Sequence, residues 1–113
     1  MTTLGKNVKI TAPEGARTQA RATFEAFGAK LMTPAPGLDV FPLEGGSIAF
    51  EYVDGALTEN QMRIAPWLEF AVADVDKVGA RLLELGLSRL EYRDKAHPYF
   101  VGPAGVVFRL TAA

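Results

Sequence analysis

Residues 67–86, WLEFAVADVDKVGARLLELG, decide the fold. Leu68, Phe70 and Val72 alternate with less apolar neighbours, which is the period of a strand with one buried face. Asp74 then supplies a side chain suited to cap a helix N-terminus. Apolar residues follow at helical spacing on one face, and they are Val78, Leu82 and Leu85. The stretch therefore predicts a half-buried strand that leads directly into an amphipathic helix.

The same pattern occurs earlier in the chain. Residues 24–28, FEAFG, can be laid on 82–86, LLELG, and in both copies a glycine stands where a helix would end. Without a gap, the same shift carries Phe41 onto Tyr99 and continues through the later strand candidates. With two extra residues allowed in the first copy, 7–14 falls on 67–74. An internal repeat of this length predicts two copies of one structural unit.

Each copy predicts a β-α-β-β-β module, in which three short strands follow the helix. We expect one α+β domain, 1–113, whose two tandem modules form an open, curved mixed sheet, or cup, with helices on its outer face. The expected divisions are a first module at about 5–54, a connector at 55–66 and a second module at 67–111.

Composition excludes several classes of function. The 113 residues include 12 basic and 13 acidic side chains, so the chain has no basic field for a nucleic acid. It has no cysteine and hence no disulfide or thiolate metal site. Its N-terminus, MTTLGKNVKI, lacks the apolar run of a signal peptide, and no stretch reaches membrane-spanning length. We expect a soluble, cytoplasmic protein without a nucleic-acid or membrane partner.

Strand alternation predicts which side chains line the cup. In the last strand of each module, bulky apolar residues share one face and should pack beneath the helices. The opposite faces, together with those of the first strands, bring four charged residues and an indole into one concavity: Lys9, Glu51, Glu69, Arg109 and Trp67. The four charges either neutralise one another or contact a ligand, and the alternation does not distinguish these alternatives.

Two segments carry a family resemblance. Residues 67–76, with the helix end at 82–86, resemble the opening of the second module in the vicinal oxygen chelate superfamily of glyoxalases, bleomycin-resistance proteins and extradiol dioxygenases. Residues 99–110 resemble the closing turn and strand of that family, with Gly102 in place of the usual aspartate. The resemblance implies the cup fold and often a homodimer, with modules exchanged between chains in some members.

The resemblance also implies where a metal would bind, at Asn7 and Trp67 in the opening strands and at Glu51 and Arg109 in the last strands. Of these four residues only Glu51 is an ordinary ligand. Trp67 has no usable lone pair, and Arg109 brings a fixed positive charge to the position of the cation. We therefore expect no metal, no other cofactor and no catalytic residue of the usual family type.

The single histidine, His97, lies beside a turn in the segment 94–98, DKAHP. A lone histidine in such a place is usually solvated or hydrogen-bonded locally, and we assign it no catalytic role from the sequence.

With these metal positions lost, the resemblance favours the branch of the family that binds and sequesters a small molecule, as bleomycin-resistance proteins do. Trp67 would stack on an aromatic ligand, helped by Phe41 or Tyr99 if the middle strands turn inward. The glutamates would attract cationic groups, and the basic residues would hold a carboxylate or phosphate. The predicted ligand-binding residues are Asn7, Lys9, Phe41, Glu51, Trp67, Glu69, Tyr99 and Arg109. The alternatives are a divergent metal-dependent lyase, isomerase or dioxygenase of the same superfamily, and a scaffold whose cup is collapsed.

Overall fold

A computed structural model describes residues 1–113. The eight strands are β1 (Asn7–Ala12), β2 (Met32–Ala35), β3 (Leu38–Leu43), β4 (Gly46–Tyr52), β5 (Leu68–Val72), β6 (Ser88–Leu90), β7 (Tyr99–Val101) and β8 (Val107–Ala112). The three α-helices are α1 (Arg17–Ala26), α2 (Glu59–Met62) and α3 (Val75–Glu84). None of these helices has the length and hydrophobicity needed to cross a membrane.

The two modules have the same sheet topology. Four strands in the order β1-β4-β3-β2 form the first sheet, and four in the order β5-β8-β7-β6 form the second. In each module the first and last strands pair in parallel, and the remaining pairs are antiparallel. Both sheets are open. This architecture confirms the predicted α+β fold of two β-α-β-β-β units and agrees with a curved cup.

Helix α3 begins and ends where the sequence predicts. The Asp74 carboxylate accepts a hydrogen bond from the backbone N–H of Lys77 at 3.0 Å, which satisfies one of the free donors of the first turn. Gly86 follows the helix with φ 95°, and Gly28 follows α1 with φ 89°. A side chain would be strained in this left-handed conformation, so glycine is favoured at both helix ends.

The connector contains a helix that periodicity does not predict. α2 spans a single turn, which is too short to show an apolar period. A capping box stabilises it, because the Thr58 hydroxyl accepts from the Gln61 backbone at 3.2 Å and the Gln61 amide oxygen accepts from the Thr58 backbone at 2.9 Å.

Phe24 of α1 is the centre of the hydrophobic core. Its ring is fully buried and lies 4.7 Å from Phe41 and 5.7 Å from Phe50, which belong to the first sheet. It also lies 5.8 Å from Phe70 and 5.9 Å from Phe108, which belong to the second. The apolar faces of both sheets thus meet at one helix. Because side chains alternate along a strand, the other face of each sheet points away from this shared core.

The two copies of the repeat cannot be aligned without a gap at the third strand of each module, which is β3 in the first module and β7 in the second. Tyr99 pairs with Arg109, whereas the residue that pairs with Glu51 is Leu38. Tyr99 therefore corresponds to Leu38 and not to Phe41. The ungapped alignment is wrong here because twelve residues separate Leu38 from its partner Glu51, whereas nine separate Tyr99 from its partner Arg109. The difference of three residues is odd, so it also changes the face of the sheet on which an aligned side chain lies.

The first strands also differ from the predicted alignment. The equivalent parallel pairs are Thr11–Glu51 and Glu69–Arg109. In this register Lys9, and not Asn7, occupies the place of Trp67. The two extra residues assumed in the first copy are not required by the strand pairing.

Gly102, which replaces the aspartate of the family pattern, lies against the core. A Cβ atom at this position would approach the Phe108 ring to 2.8 Å, which is closer than real Cβ contacts. Any side chain here would displace a ring that is fully buried. The close approach explains why this chain carries glycine in the turn.

A buried carboxylate joins the first helix to the first sheet. Asp39 has no exposed surface and accepts hydrogen bonds from Arg21 Nε at 2.8 Å, Tyr52 Oη at 2.9 Å and Thr33 Oγ1 at 3.0 Å. The bonds from Arg21 lower the pKa of Asp39 below its usual value. Because every partner supports the charged form, Asp39 is ionised in the folded protein.

Replacing Asp39 with asparagine should destabilise the fold by about 3 kcal/mol, because a buried ion pair loses one partner while the guanidinium remains. The expected value is at the low end for such changes, since the Arg21 side chain is 38% exposed and still reaches water. Denaturant unfolding measures the loss. The matched control is Asp54→Asn at an exposed position, where a loss comparable to that of Asp39→Asn would contradict a specific role for the buried network.

Candidate functional site

The predicted alternation of burial is confirmed in β4 and, from Phe108 onward, in β8, whereas Val107, which it assigns to the opposite face, is only 2% exposed. The buried, helix-facing residues of β4 and β8 are Ile48, Phe50, Tyr52, Phe108 and Leu110. We call the opposite sides the open faces. The N-terminal open face is defined by Asn7, Lys9, Ser47, Ala49 and Glu51, and the C-terminal open face by Trp67, Glu69, Tyr99 and Arg109.

Short polar contacts pair the residues of the N-terminal open face. Lys9 Nζ lies 2.9 Å from Glu51 Oε1, and Ser47 Oγ donates a hydrogen bond to Asn7 Oδ1 at 2.7 Å. The Lys9 and Glu51 side chains are both about half exposed, so water screens their attraction. The formal charges of this face cancel.

The C-terminal open face is built around the guanidinium of Arg109. This group lies 4.4 Å from the centre of the Trp67 ring, in a cation–π contact. Its Nε donates to Glu69 Oε2 at 2.8 Å, and its NH2 nitrogen contacts the same oxygen. Its NH1 nitrogen lies 3.4 Å from both Asp94 Oδ2 and Tyr99 Oη. All three nitrogens are thus engaged within the protein.

Asp94 connects this cluster to the loop between β6 and β7. The carboxylate accepts hydrogen bonds from the Ala96 backbone N–H at 2.8 Å and from Tyr99 Oη at 2.9 Å, and it lies 2.8 Å from His97 Nδ1. The backbone bond from Ala96, followed by the contact with His97, lowers the pKa of Asp94 to about 2. Asp94 is therefore a fixed negative charge that orients a tyrosine and a histidine.

Three aromatic rings lie together on the C-terminal open face. Trp67 meets Tyr99 edge to face with 5.8 Å between ring centres, and Tyr92 lies 4.9 Å from Tyr99. Tyr99 is only 2% exposed, whereas Trp67 and Tyr92 are each 38% exposed. The two outer rings are partly exposed to solvent, and the inner ring supports them.

The structure separates two residues that the sequence placed together. Tyr99 lies beside Trp67, as expected. Phe41 does not, because it lies on the helix-facing side of β3, is 1% exposed and stacks on Phe24. The predicted position of Phe41 in the cup is therefore wrong, and this residue belongs to the core.

The two open faces do not contact each other within the chain. Glu51 pairs with Lys9, Arg109 is held by its own module, and no hydrogen bond, ion pair or ring contact joins the two sets. A groove of about 490 Å³ lies between the modules, and its walls include Ser47 from β4 and Glu69 from β5. Glu69 is the residue that belongs both to the Arg109 cluster and to this groove.

The residues at the family's metal positions do not fit a metal ion. Glu51 is the one carboxylate among them, and the Lys9 ammonium lies against it. In the other module, the positions that the resemblance implies for metal ligands carry the guanidinium of Arg109 and the indole of Trp67, neither of which ligates a metal cation. No three His, Asp or Glu side chains in the structure are grouped so that they could hold a cation.

Sequence reasoning did not identify Asp94 and Tyr92 as members of this site. Both lie in the irregular segment between β6 and β7, where no strand period assigns a face. The spacing of Asp94 and His97, three residues apart beside a proline, was a usable signal, because short polar side chains in turns often bond to nearby residues.

Comparisons with solved structures identify the fold. A glyoxalase family protein from Bacillus anthracis is 18% identical, with a TM-score of 0.73 over 97% of this chain and 95% of that one. The fosfomycin resistance protein FosX from Listeria monocytogenes, complexed with Mn(II) and sulfate, is 18% identical, with a TM-score of 0.75 over 100% and 92%. An integron cassette protein from V. cholerae is 13% identical, with a TM-score of 0.70 over 99% and 96%. No protein-family model and no curated protein sequence matches this chain.

These neighbours are proteins of the vicinal oxygen chelate superfamily, and this chain has their fold. The fold expected from the sequence resemblance is thus confirmed. Because the sequence identities are below 20%, these comparisons establish the fold of this chain and nothing about its function.

The lowered pKa of Asp94 predicts how its contribution to stability depends on pH. A carboxylate whose folded pKa is depressed stabilises the protein above its ordinary value, here 3.8, and that contribution is lost as the pH falls toward about 2. The difference in free energy of unfolding between the natural protein and Asp94→Asn should be constant near neutrality and shrink on acidification. A difference that grows as the pH falls would contradict this assignment.

Proposed function

We propose that this chain is a metal-independent small-molecule-binding protein of the glyoxalase and bleomycin-resistance type, which sequesters an aromatic, charged ligand at the open faces of a homodimer. The observation that carries the proposal is the Arg109 cluster, in which a guanidinium lies on Trp67 and is held by Glu69 and Asp94. A fixed positive charge at a metal-ligand position opposes a divalent cation by repulsion.

The chemistry of the same face supports a binding role. Trp67 and Tyr92 expose ring surface, while the polar groups around Arg109 are already positioned by mutual hydrogen bonds. An apolar surface with a few ordered polar groups is the usual composition of a small-molecule site. Because the cluster is ordered within the protein, a ligand would bind without a large cost of rearranging it.

The separation of the two open faces supports a dimeric site. Each face belongs to a different sheet and points away from the shared core, and β1 and β5 each pair on one side only. A second copy of the chain would bring the N-terminal open face of one subunit next to the C-terminal open face of the other. A ligand that contacts both faces would then be enclosed by two subunits.

The enzymatic alternative has one specific observation in its favour. FosX, a neighbour of the same fold, is described with Mn(II). A metal-dependent lyase, isomerase or dioxygenase would need Glu51 together with ligands other than Trp67 and Arg109. The ion pair of Glu51 with Lys9 makes this the less favoured function.

Metal analysis of the purified protein separates the two functions. After incubation with manganese, nickel, zinc or iron and removal of excess ions, we expect far less than one ion per chain, because the carboxylate donors are paired with cations. The matched comparison is the variant Arg109→Glu, which places a carboxylate at the metal position that the resemblance implies in β8. Stoichiometric metal in the natural protein would contradict metal independence.

Binding itself is tested through Trp67, the only tryptophan. Its fluorescence should change saturably with at least one member of a panel of aromatic, charged antibiotics and metabolites. Trp67→Phe, followed by calorimetry, should bind that compound more weakly because a smaller ring stacks less well.

The proposed homodimer is tested by light scattering, which should give the mass of two chains. A monomer that responds to no compound would support a scaffold instead.

A further inference from the structure

A second groove lies along the free edge of β1, away from the Arg109 cluster. It has a volume of about 320 Å³ and lies between β1, the connector and the first residue of β5. We call it the connector groove, and its main apolar walls are Val8, Leu57, Met62 and Leu68. Val8 and Leu57 are exposed to solvent. Apolar side chains that lie together around an exposed cavity are typical of a surface that a partner covers.

The connector groove has no unpaired charge. Lys9 is the one charged residue in its lining, and the ammonium of Lys9 lies 2.9 Å from the Glu51 carboxylate. A charged small molecule would have to compete with this ion pair, whereas an apolar side chain would gain free energy simply by leaving water. The groove therefore favours an apolar occupant.

The side chain of Ile64 is a projection on the same surface. It is 89% exposed, although its neighbours Met62 and Ala65 line the connector groove. The chain therefore carries a large apolar side chain in solvent directly beside an apolar cavity. Each of these two features is of the kind that would cover the other, but Ile64 does not enter the groove of its own chain.

The segment that carries Ile64 is held firmly against the second module. A Cβ atom at Gly105 would approach the Glu59 carbonyl oxygen to 2.5 Å, so the backbone of α2 lies directly on the turn before β8. Met62 packs against the hydrophobic core, and the capping box described above orders the start of α2. Because the projection is already ordered, contact through it costs little conformational entropy.

We infer that a second copy of this chain covers the connector groove, and that Ile64 of each subunit enters the groove of the other beside Leu57. A projection and a cavity on one surface fit each other twice when a two-fold axis relates the copies. Lys9 of the N-terminal open face lines the groove, and Trp67 of the C-terminal open face follows Pro66 at its rim. Because the two-fold axis exchanges the two sides of this surface, the open faces of different subunits would be brought together. The inference rests on the homodimer of the proposed function and adds the surface through which it forms.

Dissociation on dilution, measured by sedimentation equilibrium, tests this contact. Ile64→Ser should raise the dissociation constant of the dimer about 100-fold, because each of two equivalent contacts loses about tenfold. Leu57→Ser, which alters the wall of the groove, should raise it by about tenfold or more. The matched control is Leu83→Ser on α3, which should leave the dissociation constant unchanged. All three side chains are exposed, so the variants should fold like the natural protein.

A disulfide cross-link tests which surfaces meet. The chain has no cysteine, so Ile64→Cys and Leu57→Cys each introduce a single thiol. When these two variants carry tags of different size and are mixed and oxidised, a covalent heterodimer should form. Ile64→Cys mixed with Leu83→Cys is the control and should give no more of this product than random collision does.

The outcomes separate this inference from the function on which it rests. If Ile64→Ser dimerises as tightly as the natural protein and Ile64→Cys does not cross-link to Leu57→Cys, the inference is overturned and the homodimer with its ligand site stands. If Leu57→Ser weakens the dimer and Ile64→Ser does not, another part of the partner fills the groove, and the role of Ile64 is wrong. A natural protein that stays monomeric at every concentration would contradict both the inference and the homodimer, while the response of Trp67 would still decide whether the chain binds a small molecule.

Discussion

The contact of Arg109 with Glu69 and Trp67 is the interaction on which the rest of the site depends. A guanidinium cannot lose its charge, so a sheet that carries one on a partly covered face must supply carboxylates close by. Glu69 on the neighbouring strand and Asp94 in the loop do this, and the indole covers the flat side of the group. Tyr99 then packs under Trp67, and His97 is oriented through Asp94. One charge thus orders the whole face.

The fold and the site have different origins in this chain. The fold follows from a shared core in which rings from both sheets surround Phe24. The chemistry follows from the few side chains on the faces that point away from this core. A solved structure of the same fold is described with Mn(II), whereas here Lys9 and Arg109 place two positive charges on the open faces.

Regular periodicity made much of the structure predictable. Alternation along a strand assigned Glu51 and Arg109 to the open faces, and the cap at Asp74 located the second helix. Prediction failed where the length of a hairpin decides the register. Phe41 pairs with the core residue Ile48, whereas Tyr99 pairs with Arg109 on the open face, because the two hairpins differ in length by an odd number of residues. It also failed in the irregular segment that contains Asp94, because a loop has no period from which to assign a face.

A double-mutant cycle on Glu69 and Arg109 tests the central claim most directly. The free energy of unfolding is measured for Glu69→Gln, Arg109→Gln and the double variant, with Trp67 unchanged. If the carboxylate holds the guanidinium, either single change breaks the same interaction, and the loss in the double variant will be smaller than the sum of the two single losses. If the two losses simply add, Glu69 does not hold Arg109 in solution, and the account of this face is wrong.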